Sequence, residues 1–62
     1  MTLLLNHVYG IVYRQFNGRI VVYNGRVVSR HRSFIVLRFM NHRGIVVLRK
    51  LFLIRILRVA AI

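Results

Sequence analysis

Residues 17–28 read Asn17-Gly18-Arg19-Ile20-Val21-Val22-Tyr23-Asn24-Gly25-Arg26-Val27-Val28, and the fold class turns on how this stretch is read. Two Asn-Gly dipeptides punctuate runs of β-branched residues. Asn and Gly both tolerate positive φ, so Asn-Gly between apolar runs is the strongest short-range hairpin signal. The residues between the two pairs predict a short strand over Arg19–Tyr23. Working outward, a strand is expected over Tyr9–Phe16 before the first pair. After the second pair, Arg26–Met40 is long enough to bend near Ser29–Ser33 and serve as two strands. Asn41-His42-Arg43-Gly44 breaks the chain again before a strand over Ile45–Leu48. Ten Val and seven Ile support extended structure throughout.

The same phrase, Gly then an optional Arg then β-branched residues, recurs at Gly10-Ile11-Val12, Gly18-Arg19-Ile20, Gly25-Arg26-Val27 and Gly44-Ile45-Val46. Its spacing is irregular, which fits one turn-then-strand solution used repeatedly and not a solenoid repeat. Beyond Val47 the character changes. Leu replaces Val and Ala60-Ala61 follow, so propensity predicts a helix over 49–60. Arg49, Lys50, Arg55 and Arg58 spread over more than half the circumference of such a helix and leave no clean amphipathic stripe. The expected architecture is a small β-rich domain, hairpins or a meander of three to four strands over 8–48, followed by a C-terminal helix. One small domain covers 1–62, extended and ordered only within an assembly.

The charge balance explains that last expectation. The chain has 62 residues, 11 Lys or Arg and no Asp or Glu, for a formal charge of +11, yet 58% of it is hydrophobic. A disordered basic tail would be polar and poor in Val and Ile. A domain this small buries only about 60% of its unfolded surface, and self-repulsion weakens it further. No side-chain carboxylate is available for general acid–base work, for a Ser-His-Asp triad or for Mg²⁺ or Ca²⁺ ligation. The absence of Cys removes disulfides, thiolate ligands and a cysteine nucleophile. His7, His31 and His42 lie far apart in sequence and lack helpers for a zinc site. No enzyme, cofactor, metal or small-molecule substrate is expected.

The cations point instead to a polyanion. Ten of the eleven are Arg, whose planar fork binds phosphate in a bidentate way and stacks on rings. The densest cluster is Arg26-Val27-Val28-Ser29-Arg30-His31-Arg32-Ser33. In an unbroken strand Arg26, Arg30 and Arg32 would share one face, about 13 Å and about 6.6 Å apart, matching successive phosphates. Arg14, Arg19, Arg38 and Arg43 and the imidazole of His31 extend the expected phosphate-binding set. Tyr9, Tyr13, Phe16, Tyr23, Phe34 and Phe39 interleave with these cations. Tyr13 and Tyr23, beside Arg14 and a turn, are the expected base-stacking rings, and the others are expected in the core.

The string Asn24-Gly25-Arg26-Val27-Val28-Ser29-Arg30-His31-Arg32 resembles the GRIT-x-RHRGGGHK stretch of the universal second protein of the large ribosomal subunit. In that family the strand and Gly-rich loop lie against ribosomal RNA. The resemblance implies RNA contact at Arg26, Arg30, His31 and Arg32. It ends at Ser33-Phe34-Ile35, where the family carries its glycines.

The composition and this resemblance together lead to one expected function. That function is a structural RNA-binding subunit of a ribonucleoprotein, such as a mitochondrial ribosome, partnered by rRNA and neighbouring proteins. The expected location is the organellar matrix or, failing that, a cytoplasmic ribonucleoprotein. Apolar runs are too short for a transmembrane helix, and no secretory signal pattern opens the chain. Two alternatives stand beside this reading. One is a cationic membrane-active peptide (a toxin, lysis factor or interfacial anchor) using Leu51–Ile62 as an interfacial helix. The other is a minor subunit of a protein-only assembly.

Overall fold

The computed structural model describes residues 3–62. Five strands form one antiparallel sheet: β1 (Val8–Arg14), β2 (Ile20–Arg30), β3 (Phe34–Met40), β4 (Val46–Phe52) and β5 (Ile56–Ala61). Their order across the sheet is β4-β3-β2-β1-β5. The first four make a meander, and β5 then pairs with the free side of β1.

Two of the three hairpin turns share one design. Gly18 donates to the carbonyl of Gln15 at 2.9 Å, while the Gln15 amide donates to Arg19 at 2.8 Å. Gly44 and Asn41 repeat this at 3.0 Å, and the Asn41 amide donates to Ile45 at 2.9 Å. Each turn needs a left-handed residue at its fourth position, which Gly18 (φ 84°) and Gly44 (φ 78°) supply. The Asn17 carboxamide oxygen accepts from Arg19, and that of Asn41 accepts from Arg43 and Ile45. Between β2 and β3 the connection is only His31-Arg32-Ser33, with the His31 amide donating to the Phe34 carbonyl at 2.9 Å.

The second Asn-Gly pair is not a turn. Asn24 and Gly25 lie inside β2, opposite Gly10 and Tyr9 of β1. A Cβ on Gly25 would stand 2.5 Å from the Arg38 carbonyl oxygen and 3.0 Å from both Leu37 Cγ and Phe39 Cβ. Glycine is required here for close approach of β3, not for positive φ. The two expected strands Arg19–Tyr23 and Arg26–Met40 are therefore redivided, with the break falling at the His31–Ser33 connection.

The C-terminal helix is also corrected. Among the described residues there is no α-helix, only a 3₁₀ turn over Leu53–Arg55. Residues 49–52 belong to β4, and 56–61 form β5. Helix propensity for Leu and Ala is weak, and pairing along the free edge of β1 outweighs it. Strand alternation is hidden in this segment by a bulge. Val12 faces Arg58 while Tyr13 faces Ile56, so Leu57 is an extra residue.

The sheet rolls on itself. Phe52 ends β4 at one edge and Ile56 starts β5 at the other. Four Cα steps reach at most about 14 Å, whereas the edges of a flat five-stranded sheet stand about 19 Å apart. The short link is possible only because the edges have come together into a partly closed barrel. The Phe52 amide donates to the Tyr13 hydroxyl at 3.0 Å across this closure, and the Leu53 amide donates to the Ser33 carbonyl at 2.9 Å. Inside, Ile11, Val27, Leu37 and Leu51 are completely buried, ringed by Leu3, Tyr9, Tyr13, Ile35 and Ile56. The radius of gyration is 10.8 Å, close to the roughly 10.6 Å of a compact domain of this length. The described residues are compact, and the extended alternative is set aside.

Candidate nucleic-acid interface

The convex face of the barrel carries its cations in an order set by strand register. Arg26 of β2 and Arg38 of β3 are directly opposite each other. Arg38 is in turn opposite Leu48 of β4, and Arg26 is opposite Val8 of β1. One step along β3, Val36 faces Lys50, and one step further Phe34 faces Phe52. Opposed residues share a face and alternate positions repeat every two, so Arg26, Arg38, Lys50, Phe34 and Phe52 all point outward. Like charges directly opposite are destabilising, and this chain has no side-chain carboxylate to relieve them.

Barrel closure then brings distant rings onto the end of this face. Phe16, in the β1–β2 turn, meets Phe52 edge-on, with centroids 5.7 Å apart and planes at 71°. Phe52 is 6.2 Å from Phe34, and His31 stacks on Phe34 at 4.2 Å and 17°. The Ser29 hydroxyl is hydrogen-bonded to Nε2 of the same histidine. Cations cap the run: the Arg55 guanidinium lies 3.9 Å from the Phe16 centroid, and Lys50 Nζ lies 4.5 Å from Phe34. Arg55 also donates to the Gln15 carbonyl at 3.4 Å, pinning the turn beneath Phe16. On the other face of β4, opposite Leu37, Arg49 is exposed and stands 5.6 Å over the Tyr23 ring. These contacts form a ribbon, His31–Phe34–Phe52–Phe16, edged by unneutralised positive charge.

The residues expected from sequence are distributed unevenly over this geometry. Arg26 and Arg38 are brought together, and His31 joins the ribbon. Arg30 does not share a face with Arg26. Val27 faces Leu37 while Ser29 faces Val36, so Val28 is bulged out and the alternation resets. Arg30 consequently lies opposite Ile35, a core residue. Arg32 is outside any strand, in the connection after β2. Arg14, Arg19 and Arg43 are exposed but separate from the Arg26–Arg38 pair. Arg14 ends β1 opposite Ile20, and Arg19 and Arg43 sit in the two glycine turns.

Of the two rings expected to stack bases, Tyr13 is corrected. Tyr13 is 4% exposed, with its hydroxyl accepting from Phe52, so no base can reach it. Tyr23 is half-buried against the core, between Tyr13 and Phe39, with its hydroxyl accepting from Gln15 Nε2 at 3.3 Å. The rings that do reach solvent, Phe16 above all, were expected inside. Phe52, Lys50 and Arg55 were not among the expected site residues because nothing local marks them: Phe52 and Lys50 meet Phe34 across the β3–β4 pairing, and Phe16 meets Phe52 and Arg55 only on closure.

No protein-family model matches the chain, and no curated protein or solved structure matches it either. Fold and site define a small, partly closed cationic β-barrel whose outward face carries Arg26, Arg38 and Lys50 with no side-chain carboxylate to neutralise them.

Proposed function

We propose that this chain is a structural RNA-binding subunit of a ribonucleoprotein, holding phosphates through arginines on its convex face. The carrying observation is the directly opposed Arg26–Arg38 pair in a chain with eleven cations and no acidic side chain. Such a pair gains stability when a phosphate lies between the forks, because charge-assisted bonds replace repulsion. The resemblance of residues 24–32 to a ribosomal RNA-contacting strand supports the same reading. An organellar ribosome, with rRNA and acidic protein surfaces as neighbours, is the assembly that suits an Arg-rich, acid-free subunit.

The test is binding of the intact chain to RNA across a salt series. Each phosphate neutralised on a single strand contributes about 0.7 to the log–log slope, so a slope of several units is expected. A flat salt response overturns the proposal.

The membrane-active alternative loses the helix on which it rested, since Leu51–Ile62 is strand, turn and strand. No helix among the described residues is long and apolar enough to cross a membrane. The protein-only alternative draws on one observation, the exposed apolar side chains of Met40, Val46 and Leu48 beside Arg38. Retention by acidic protein surfaces in the absence of RNA would favour it.

A further inference from the structure

We infer that the ribbon at the barrel closure is a binding site for unpaired nucleobases, so that the RNA this chain takes is single-stranded at the contact. This rests on the RNA-binding reading above and specifies its substrate. Cations alone do not distinguish strand states, because duplex and single strand both present phosphates. Rings do. A duplex hides the faces of its bases, whereas a single strand offers them for stacking.

Phe16 is the main platform. Its side chain is 74% exposed at the tip of a hairpin, yet it is held from two sides. Arg55 covers it at 3.9 Å, and Phe52 meets it at 5.7 Å. A ring fixed this way and still open loses little rotamer freedom when a base stacks on it. At the opposite end of the ribbon, His31 is exposed and lies almost parallel on Phe34, while Lys50 also sits over Phe34. Phe34 and Phe52 are half-buried supports, and His31 and Phe16 are the terminal rings.

Backbone charge is met at the same place. Lys50 and Arg55 each touch a ring of the ribbon, and neither has a carboxylate to neutralise it. A shallow cleft beside Phe16, bounded by Gln15, Asn17, Arg49 and Lys50, gives a strand room to pass between ring and cations. From the ribbon the convex face continues to Arg38, two residues beyond Val36 and four beyond Phe34 along β3, and across to Arg26, its partner on β2. A single strand stacked at Phe16 and His31 can therefore run its phosphates past Lys50 towards the arginine pair.

The test compares oligouridine with an RNA hairpin stem of equal nucleotide count, on the whole chain and three variants. Phe16→Ala should weaken oligouridine binding about ten-fold to one-hundred-fold, the range for loss of one stacked base. Phe16→Leu keeps an apolar side chain without a π-face and should lose nearly as much. Neither should alter stem affinity or the salt slope, since no charge is removed. Far-UV circular dichroism checks that both variants remain folded. The chain contains no Trp, so Phe16→Trp installs a single reporter, expected to be quenched by oligouridine and not by the stem. Equal wild-type binding of both RNAs, with Phe16→Ala unchanged, overturns the stacking site and leaves RNA binding standing. No binding of either RNA at low salt overturns both.

Discussion

Substituting Gly25 by Ala separates the two readings of the Asn24-Gly25 pair by the size of its effect. In a hairpin turn the penalty would be that of a left-handed alanine, about 1–2 kcal/mol. In β2 the backbone is not left-handed, so alanine regains about 0.5–1 kcal/mol of the entropy that glycine loses. Against that stands the new methyl group, 2.5 Å from the Arg38 carbonyl oxygen. That oxygen belongs to a paired strand and cannot swing aside as a side chain would. Leu37 and Phe39, both at 3.0 Å, close the other exits. Overpacking of this kind costs about 1–3 kcal/mol and occasionally more, and a backbone obstacle belongs at the upper end. The net expected loss is about 2–3 kcal/mol.

A chain of this size has on the order of 3–9 kcal/mol in total, and its net charge draws that down. Thermal unfolding followed by circular dichroism in phosphate buffer should show the midpoint falling by roughly 10–20 °C. Gly18→Ala is the control: it meets no atom within 4 Å but has φ 84°, so it should lose only the turn penalty. A Gly25→Ala variant as stable as the parent, or no worse than Gly18→Ala, would refute the close approach of β2 and β3.

Other expectations follow from the same geometry. Tyr13→Phe removes the oxygen that accepts from the Phe52 amide across the barrel closure, and should destabilise by about 1–3 kcal/mol in equilibrium urea unfolding. Adding sulfate or phosphate to the free chain should raise its melting midpoint well beyond the effect of equal ionic strength from chloride, because multivalent anions relieve the Arg26–Arg38 repulsion. Arg38→Gln should reduce the RNA salt slope by about one unit or slightly less while leaving discrimination between single strand and stem intact, a result read from the same titrations.

Some of this was legible along the chain and some was not, for reasons that differ by residue. The turns at Asn17-Gly18 and Asn41–Gly44 were legible because their chemistry is local: a left-handed glycine and an asparagine side chain closing on its own backbone. Asn24-Gly25 has the same letters and a different cause, since its glycine answers to a carbonyl thirteen residues away on β3. Period-two reasoning failed at Val28 because a bulge inserts one residue and flips everything beyond it. That single shift separated Arg30 from Arg26. The expected helix failed because propensities of a few tenths of a kcal/mol per residue yield to a free strand edge.

By itself the sequence determined the electrostatic problem. Eleven cations and no acidic side chains mean that every positive charge must look outside the chain for an anion, whatever fold the chain adopts. It also determined the β-rich class, through its Val and Ile runs and its local turns. Only the tertiary structure decided where the charges stand and which rings stand beside them. Rolling the sheet until β4 and β5 could be joined by a 3₁₀ turn placed Phe16 on Phe52 and Arg55 over Phe16. It also sealed Tyr13 inside. Those contacts join residues almost forty positions apart, and no local pattern encodes them because the closure that creates them is a property of the whole sheet.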